Sequence, residues 1–222
     1  MTKELYVLIN HVAAVLTAIA TVLCLVWFKQ RSPEVRIQFV NFFLSTAVTL
    51  YIYISGISGP PINIPQNMYL GPTILLTLAM YDFAWKGRHR KVTIISASLF
   101  TIFTAWNLAF GQGMNFNSNT ILVGGVFVLI HCILFYYYLL ADLPVQRLDK
   151  LPMFWFNAGY LTYFGGSLII FAAYVVEVFR GFLLLYWSIG NVLRIVQFIL
   201  IIVGLWQDLR NIRSRSSLPS AR

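Results

Sequence analysis

Seven long apolar runs follow one another along the chain, near residues 5–28, 37–55, 68–85, 92–111, 119–141, 154–176 and 182–206, each bounded by polar or Gly/Pro-rich stretches. A helix needs about 20 predominantly apolar residues to cross a bilayer, so every run is long enough. The runs are too long for buried strands and lack the alternation of a lipid-facing barrel wall. In hydrocarbon each backbone amide must find its partner inside its own helix, and the expected fold is all-α: a polytopic bundle of seven transmembrane helices. Of the 222 residues, 59% are apolar and 10% charged, which leaves no length for a soluble catalytic or nucleic-acid-binding domain. The spans fill residues 1–209. Residues 210–222, rich in Arg and Ser, are expected to form a disordered basic tail near anionic headgroups.

The charges orient the bundle. Lys29, Arg31, Arg36, Lys86, Arg88, Arg90, Lys91, Arg147, Lys150, Arg210, Arg213, Arg215 and Arg222 all fall on one side, whereas the other side holds Lys3 and Arg180. Basic loops stay in the cytoplasm, so the expectation is an N-terminus outside and a C-terminus inside. The formal charge of +9 is explained by this placement, and nucleic acid is not an expected partner. The first run has no small-residue cleavage site and is followed by basic residues, so it reads as a retained helix. The segment 55–67, with Gly56, Gly59, Pro60, Pro61 and Pro65, reads either as a stiff cap on the outer face or as an ordinary turn-rich connection.

Ionisable groups at bilayer depth are costly, so each is a candidate site. Arg194 sits at the midpoint of the seventh run, and on a helical wheel it shares a face with Trp187, Gly190, Asn191 and Gln197. That face must look into the bundle, because lipid would leave the guanidinium without a partner. Three partners are open: Asp82 reached at full stretch, neutral acceptors such as Asn191, Gln197 and Asn157, or an anionic ligand. His131 lies near the middle of the fifth run at a depth similar to Arg194, which lets the two share a cavity; with no second ligand at metal spacing, it is not read as a metal site. In the sixth run Asn157, Tyr160, Phe164 and Ser167 form a mixed face beside small positions Ala158, Thr162 and Gly166. Asn10, His11, Asn41, Ser45 and Thr49 add polar positions of the kind that bridge helices.

Several chemistries lack their residues. There is no midplane carboxylate pair, no H-E-x-x-H, no nucleophile elbow and no phosphate-binding Gly-rich loop, so no enzyme activity and no cofactor are expected. Cys24 and Cys132 lie inside apolar runs and read as structural thiols. No internal repeat of the transporter kind is evident, and Pro65 with Gln66, the one Pro-Gln pair reminiscent of PQ-loop transporters, stands alone outside the apolar runs.

In topology the chain resembles the microbial rhodopsins, whose retinal is tied to a lysine of the seventh helix. No lysine is present there, and Arg194, never deprotonated, cannot form the Schiff base. A closer likeness lies in Pro152, Phe154, Trp155, Asn157, Tyr163, Gly166 and Trp187. This pattern, covering about a third of the chain, is similar to that of uncharacterised bacterial seven-transmembrane proteins often encoded beside sensor histidine kinases. The resemblance implies sensing or accessory signalling in the bacterial inner membrane, with a sensor kinase or other membrane protein as partner, and carries no known binding residues. The expected function is a non-enzymatic receptor or accessory sensor that binds a small anionic or lipid-like ligand through Arg194, Asn191, Gln197, His131, Asn157, Tyr160 and Trp187. The alternatives are a small secondary carrier for an anionic substrate and a structural subunit of a membrane complex.

Overall fold

The computed structural model describes residues 3–55, 63–112, 117–142, 147–175 and 183–216. They form seven α-helices: α1 Lys3–Leu25, α2 Pro33–Ser55, α3 Asn63–Ala84, α4 Arg90–Phe110, α5 Ser118–Asp142, α6 Pro152–Val175 and α7 Leu183–Ser216, with 3-10 turns at Phe28–Gln30 and Leu148–Lys150 and no strand among the described residues. Five stretches, Glu4–Leu25, Pro33–Ser55, Arg90–Phe110, Ser118–Ala141 and Ser188–Ser214, are long and apolar enough to cross a membrane. Leu8, Val15 and Val22 on α1, and Ile95, Ile102 and Phe110 on α4, stand bare on the outside. A surface of this kind is stable against hydrocarbon and not against water, which makes this a helical membrane protein.

Local chemistry sets the helix ends. Pro33 and Pro152 open α2 and α6, where a missing N–H leaves no bond unmade, and Glu34 meets the positive end of the α2 dipole. The chain leaves α3 through paired bonds from Gly87 N–H to the Asp82 carbonyl and from Lys86 N–H to the Phe83 carbonyl, both 3.0 Å, with Lys86 and Gly87 at φ 52° and 76°. This is the left-handed reversal that commonly ends a helix. Pro72 lies inside α3 and removes one backbone bond there.

The helices close into a ring in which each lies against its neighbours in sequence and α7 returns to α1; α3 also touches α5, which leaves α4 on the outside. Side chains fill the middle: Phe42 of α2 meets Phe198 of α7 edge to face at 5.6 Å, and bonds from α6 cross to α2 and α3. Helices α3 and α6 supply much of this interior polar chemistry through Thr77, Tyr81, Asn157 and Tyr160.

Two differences from the sequence expectation concern the tail and the loop. Helix α7 runs to Ser216, well beyond the expected end near 206 and into the tail that composition alone assigns to disorder. Its last turns are amphipathic: Leu205, Asp208 and Leu209 are buried while Trp206 and Arg210 are exposed, and Asn211 Nδ2 donates to the Lys150 carbonyl at 3.0 Å. In the segment 55–67, residues 56–62 lie outside the described residues, and Asn63 onward belongs to α3.

At the basic end, Arg147 makes a two-pronged contact to Asp149, 2.9 and 3.3 Å, on the exposed turn before α6. The hydrogen bond from Arg147 holds the Asp149 carboxyl below the usual carboxylate range. Arg147→Ala is expected to raise its titration midpoint toward the ordinary value, read by NMR of the side-chain carboxyl. The linked stability is present above the ordinary pKa and is lost as pH falls through the depressed one. Both groups are bathed in water, so the unfolding temperature should not follow.

Candidate functional site

Arg194 of α7 reaches toward α1 and α2. One terminal nitrogen donates to Ser45 Oγ at 3.2 Å and, at 3.5 Å, to Thr17 Oγ1, and the guanidinium lies 5.7 Å over the Phe198 ring. Thr17 and Ser45 are both buried and sit near the middle of their 23-residue helices, so the guanidinium of the half-buried Arg194 meets them at mid-depth. No carboxylate pairs with it among the described residues. Two long bonds to neutral hydroxyls are a weak return for a group with five N–H donors and a permanent charge. None of the partners expected from the sequence, Asp82, Asn191, Gln197 or Asn157, bonds to it among the described residues.

Asn157 and Tyr160 are engaged elsewhere. Tyr81 O–H donates to Asn157 Oδ1 at 2.7 Å, Asn157 Nδ2 donates to the Cys132 carbonyl at 3.2 Å, and the Cys132 thiol lies 3.0 Å from the Tyr81 oxygen. Tyr160 O–H donates to Gln38 Oε1 at 2.5 Å, Gln38 Nε2 donates to Met80 Sδ at 2.8 Å, and Asn41 Nδ2 donates to Thr77 Oγ1 at 3.2 Å. All of these side chains are buried. The polar face of α6 thus joins α2, α3, α5 and α6 to one another, because a buried amide or hydroxyl without a partner costs far more than a satisfied one returns. Three tiers follow one another: Tyr81 with Asn157, then Gln38, Tyr160, Asn41 and Thr77, then Ser45, Arg194 and Thr17.

His131 belongs to a different level from Arg194. The Asn41–Thr77 bond fixes the register of antiparallel α2 and α3, which brings Ser45 level with Thr73. His131 rests on Tyr81 and Trp85, with ring centroids at 5.8 and 5.2 Å. These lie eight and twelve residues further along α3, about 12 Å or more toward the basic end at 1.5 Å per residue. The shared cavity expected from sequence depth therefore does not form. Gln197, one turn from Arg194, is buried, and its carbonyl faces Gly159 of α6; Asn191 is half-buried on the same helix. Trp187 lies in α7, and its side chain is outside the described residues. His11, by contrast, lines an open groove on α1 with Glu4, Val7 and Leu8, and bonds to Tyr53 of α2 at 2.8 Å.

Sequence reasoning missed the arginine that is fully buried. Arg31, read as a loop charge, is 2% exposed. Its guanidinium donates to Asp208 Oδ2 at 2.8 Å and to the carbonyls of Leu23, Val26 and Leu205 at 2.6, 3.0 and 3.0 Å. This ties the end of α1 to α7. The signal was present as Asp208, an acid placed just past the last apolar run on the same side as Arg31. The contrast is chemical: Arg31 is spent on a carboxylate and three carbonyls, and Arg194 is not.

The chain matches no family model, no curated protein and no solved structure.

Proposed function

We propose that the chain is a seven-span protein of the bacterial inner membrane, N-terminus outside and C-terminus in the cytoplasm, acting as a non-enzymatic receptor or accessory sensor. Its ligand is a small anionic or lipid-like molecule, held by the Arg194 guanidinium with the Thr17 and Ser45 hydroxyls. One observation carries the reading: the half-buried Arg194 meets two neutral hydroxyls at mid-depth with no carboxylate beside it among the described residues, while the same fold gives Arg31 a carboxylate and three carbonyls. The seven helices and the grouping of basic loops at one end support the orientation. The tiers of hydrogen bonds running from Ser45 toward Tyr81 support signalling, since a ligand that pulls on Arg194 shifts groups packed against the next tier. The partner, a sensor kinase or another membrane protein, would meet the basic end. The filled interior favours a receptor over a carrier, because a transport path needs room that Phe42, Phe198, Tyr160 and Gln38 occupy.

Native mass spectrometry of gently purified protein tests the site. Wild type is expected to carry an anion that Arg194→Gln loses, with affinity falling about 10–100-fold, the value of a few charge-assisted bonds. The thermal stability of Arg194→Gln should stay at the wild-type value or rise, because the guanidinium has little to lose. An empty wild type together with a destabilised Arg194→Gln would make Arg194 a structural group. In liposomes no Arg194-dependent anion flux is expected; such flux would make the protein a carrier.

A further inference from the structure

At the basic end of α3, α4 and α5, four buried side-chain atoms have no hydrogen-bond partner among the described residues: Asp82 Oδ1, Trp85 Nε1, Thr93 Oγ1 and His131 Nε2. Trp85, Thr93 and His131 are 1%, 7% and 0% exposed. The packing draws the four together. Trp85 and His131 stack at 5.2 Å with 20° between the rings, and His89, one turn before Thr93, meets the Trp85 ring edge on at 5.1 Å. Gly71 faces Thr104 across the α3–α4 contact, at 3.9 Å from a Cβ built on the glycine. Eleven residues, three turns, separate Gly71 from Asp82, and the same number separates Thr104 from Thr93. In an antiparallel pair this register sets Asp82 opposite Thr93.

We infer that these four groups form a water-binding site enclosed by α3, α4 and α5. An unsatisfied polar atom in a helical membrane protein is expensive, and four at one place point to a shared partner. Their chemistry selects that partner. His131 Nδ1 lies 2.9 Å from the Phe127 carbonyl and donates to it, so in the neutral ring Nε2 is an acceptor. Asp82 Oδ1 accepts, the Trp85 indole donates, and Thr93 does either. The occupant must therefore both donate and accept. A bare cation cannot answer the indole N–H, and an anion is repelled by the acid of Asp82. Water does both, and bridging waters satisfy buried groups of this kind with about three bonds each. The site is independent of Arg194 and stands or falls apart from the ligand proposed there.

Pulsed X-ray radiolysis of the full chain in lipid nanodiscs tests it, because hydroxyl radicals born from an ordered internal water modify the side chains touching it. After correction for intrinsic reactivity, Trp85 and His131 are expected to be modified at least about tenfold faster than Phe100 and Phe156, which are equally buried. Thr93→Val should cut both rates about threefold or more while Thr93→Ser keeps them, since only the serine retains a hydroxyl. Trp85→Phe, which keeps a ring in place, should lower the His131 rate as well and serves if Thr93→Val folds poorly. The site is refuted if Trp85 and His131 prove as unreactive as Phe100 in the wild type, or if neither Thr93→Val nor Trp85→Phe changes the rates.

Discussion

Arg31→Met is expected to destabilise the protein by about 3–5 kcal/mol, the usual cost of removing one partner from a buried ion pair. The substitution strands Asp208, 6% exposed, without a counter-charge, and it uncaps the carbonyls of Leu23, Val26 and Leu205 in the same step. Asp208→Asn should cost less, about 1–3 kcal/mol, because the guanidinium keeps three carbonyl acceptors and the amide can still accept one bond. The double variant Arg31→Met with Asp208→Leu should be more stable than Arg31→Met alone, since an apolar pair removes the stranded charge while the carbonyls stay uncapped. Arg36→Met, an exposed basic residue one turn into α2, is the control and should be neutral. Unfolding in detergent, followed by helicity against temperature or SDS, gives the ranking. An Arg31→Met protein as stable as Arg36→Met would show that the clasp between α1 and α7 contributes nothing.

The number and placement of the helices were legible because one quantity, apolar length, decides whether a segment can sit in hydrocarbon. All seven runs became helices, although the ends moved: α3 starts at Asn63 rather than near 68, and α7 continues through Asp208 and Arg210. Charged residues hid that extension, since a search for apolar length stops where an amphipathic helix leaves the membrane. Of the site, the depth of Arg194 was legible from its place in its run. Its neighbours were not: Thr17 and Ser45 are ordinary polar positions of α1 and α2, and only the closure of the ring through α7 brings them to the guanidinium. Asn157 and Tyr160 were recognised as an inward polar face, yet their being taken up by Tyr81, Cys132 and Gln38 depends on which helices flank α6, and periodicity is blind to that. Arg31 and Asp208 illustrate the same limit, for pairing across 177 residues of chain leaves no local trace.

Gly204→Ala is expected to cost about 1–3 kcal/mol and Gly204→Val more, the signature of an overfilled contact. Helices α6 and α7 share the most extensive interface of the ring, and Gly204 lets them approach. A Cβ added there would stand 2.7 Å from Phe156 Cε1 and 2.9 Å from the Pro152 carbonyl oxygen. Neither can yield cheaply, since Phe156 is 1% exposed and the carbonyl is backbone at the start of α6. The two helices would have to separate, loosening Ile201 and Leu205, both fully buried. Gly166 makes a milder case, because its Cβ would meet the flexible end of Leu193, at 2.6 Å, and that side chain can rotate away. At Gly165 and Gly190 nothing lies within 4 Å, so alanine there should stabilise by about 0.5–1 kcal/mol through the lost freedom of the unfolded chain. The four alanine variants therefore rank Gly204, then Gly166, then Gly165 and Gly190 on the stabilised side. Small residues spaced along α6, such as Ala158 and Thr162, suggest the contact line from sequence, but the half-buried Thr162 turns its hydroxyl back to the Ala158 carbonyl at 2.8 Å. Gly159, Gly166 and Gly204 are the positions that meet the neighbouring helix, and an unchanged unfolding midpoint for Gly204→Ala would remove close approach from the account of how α6 and α7 hold together.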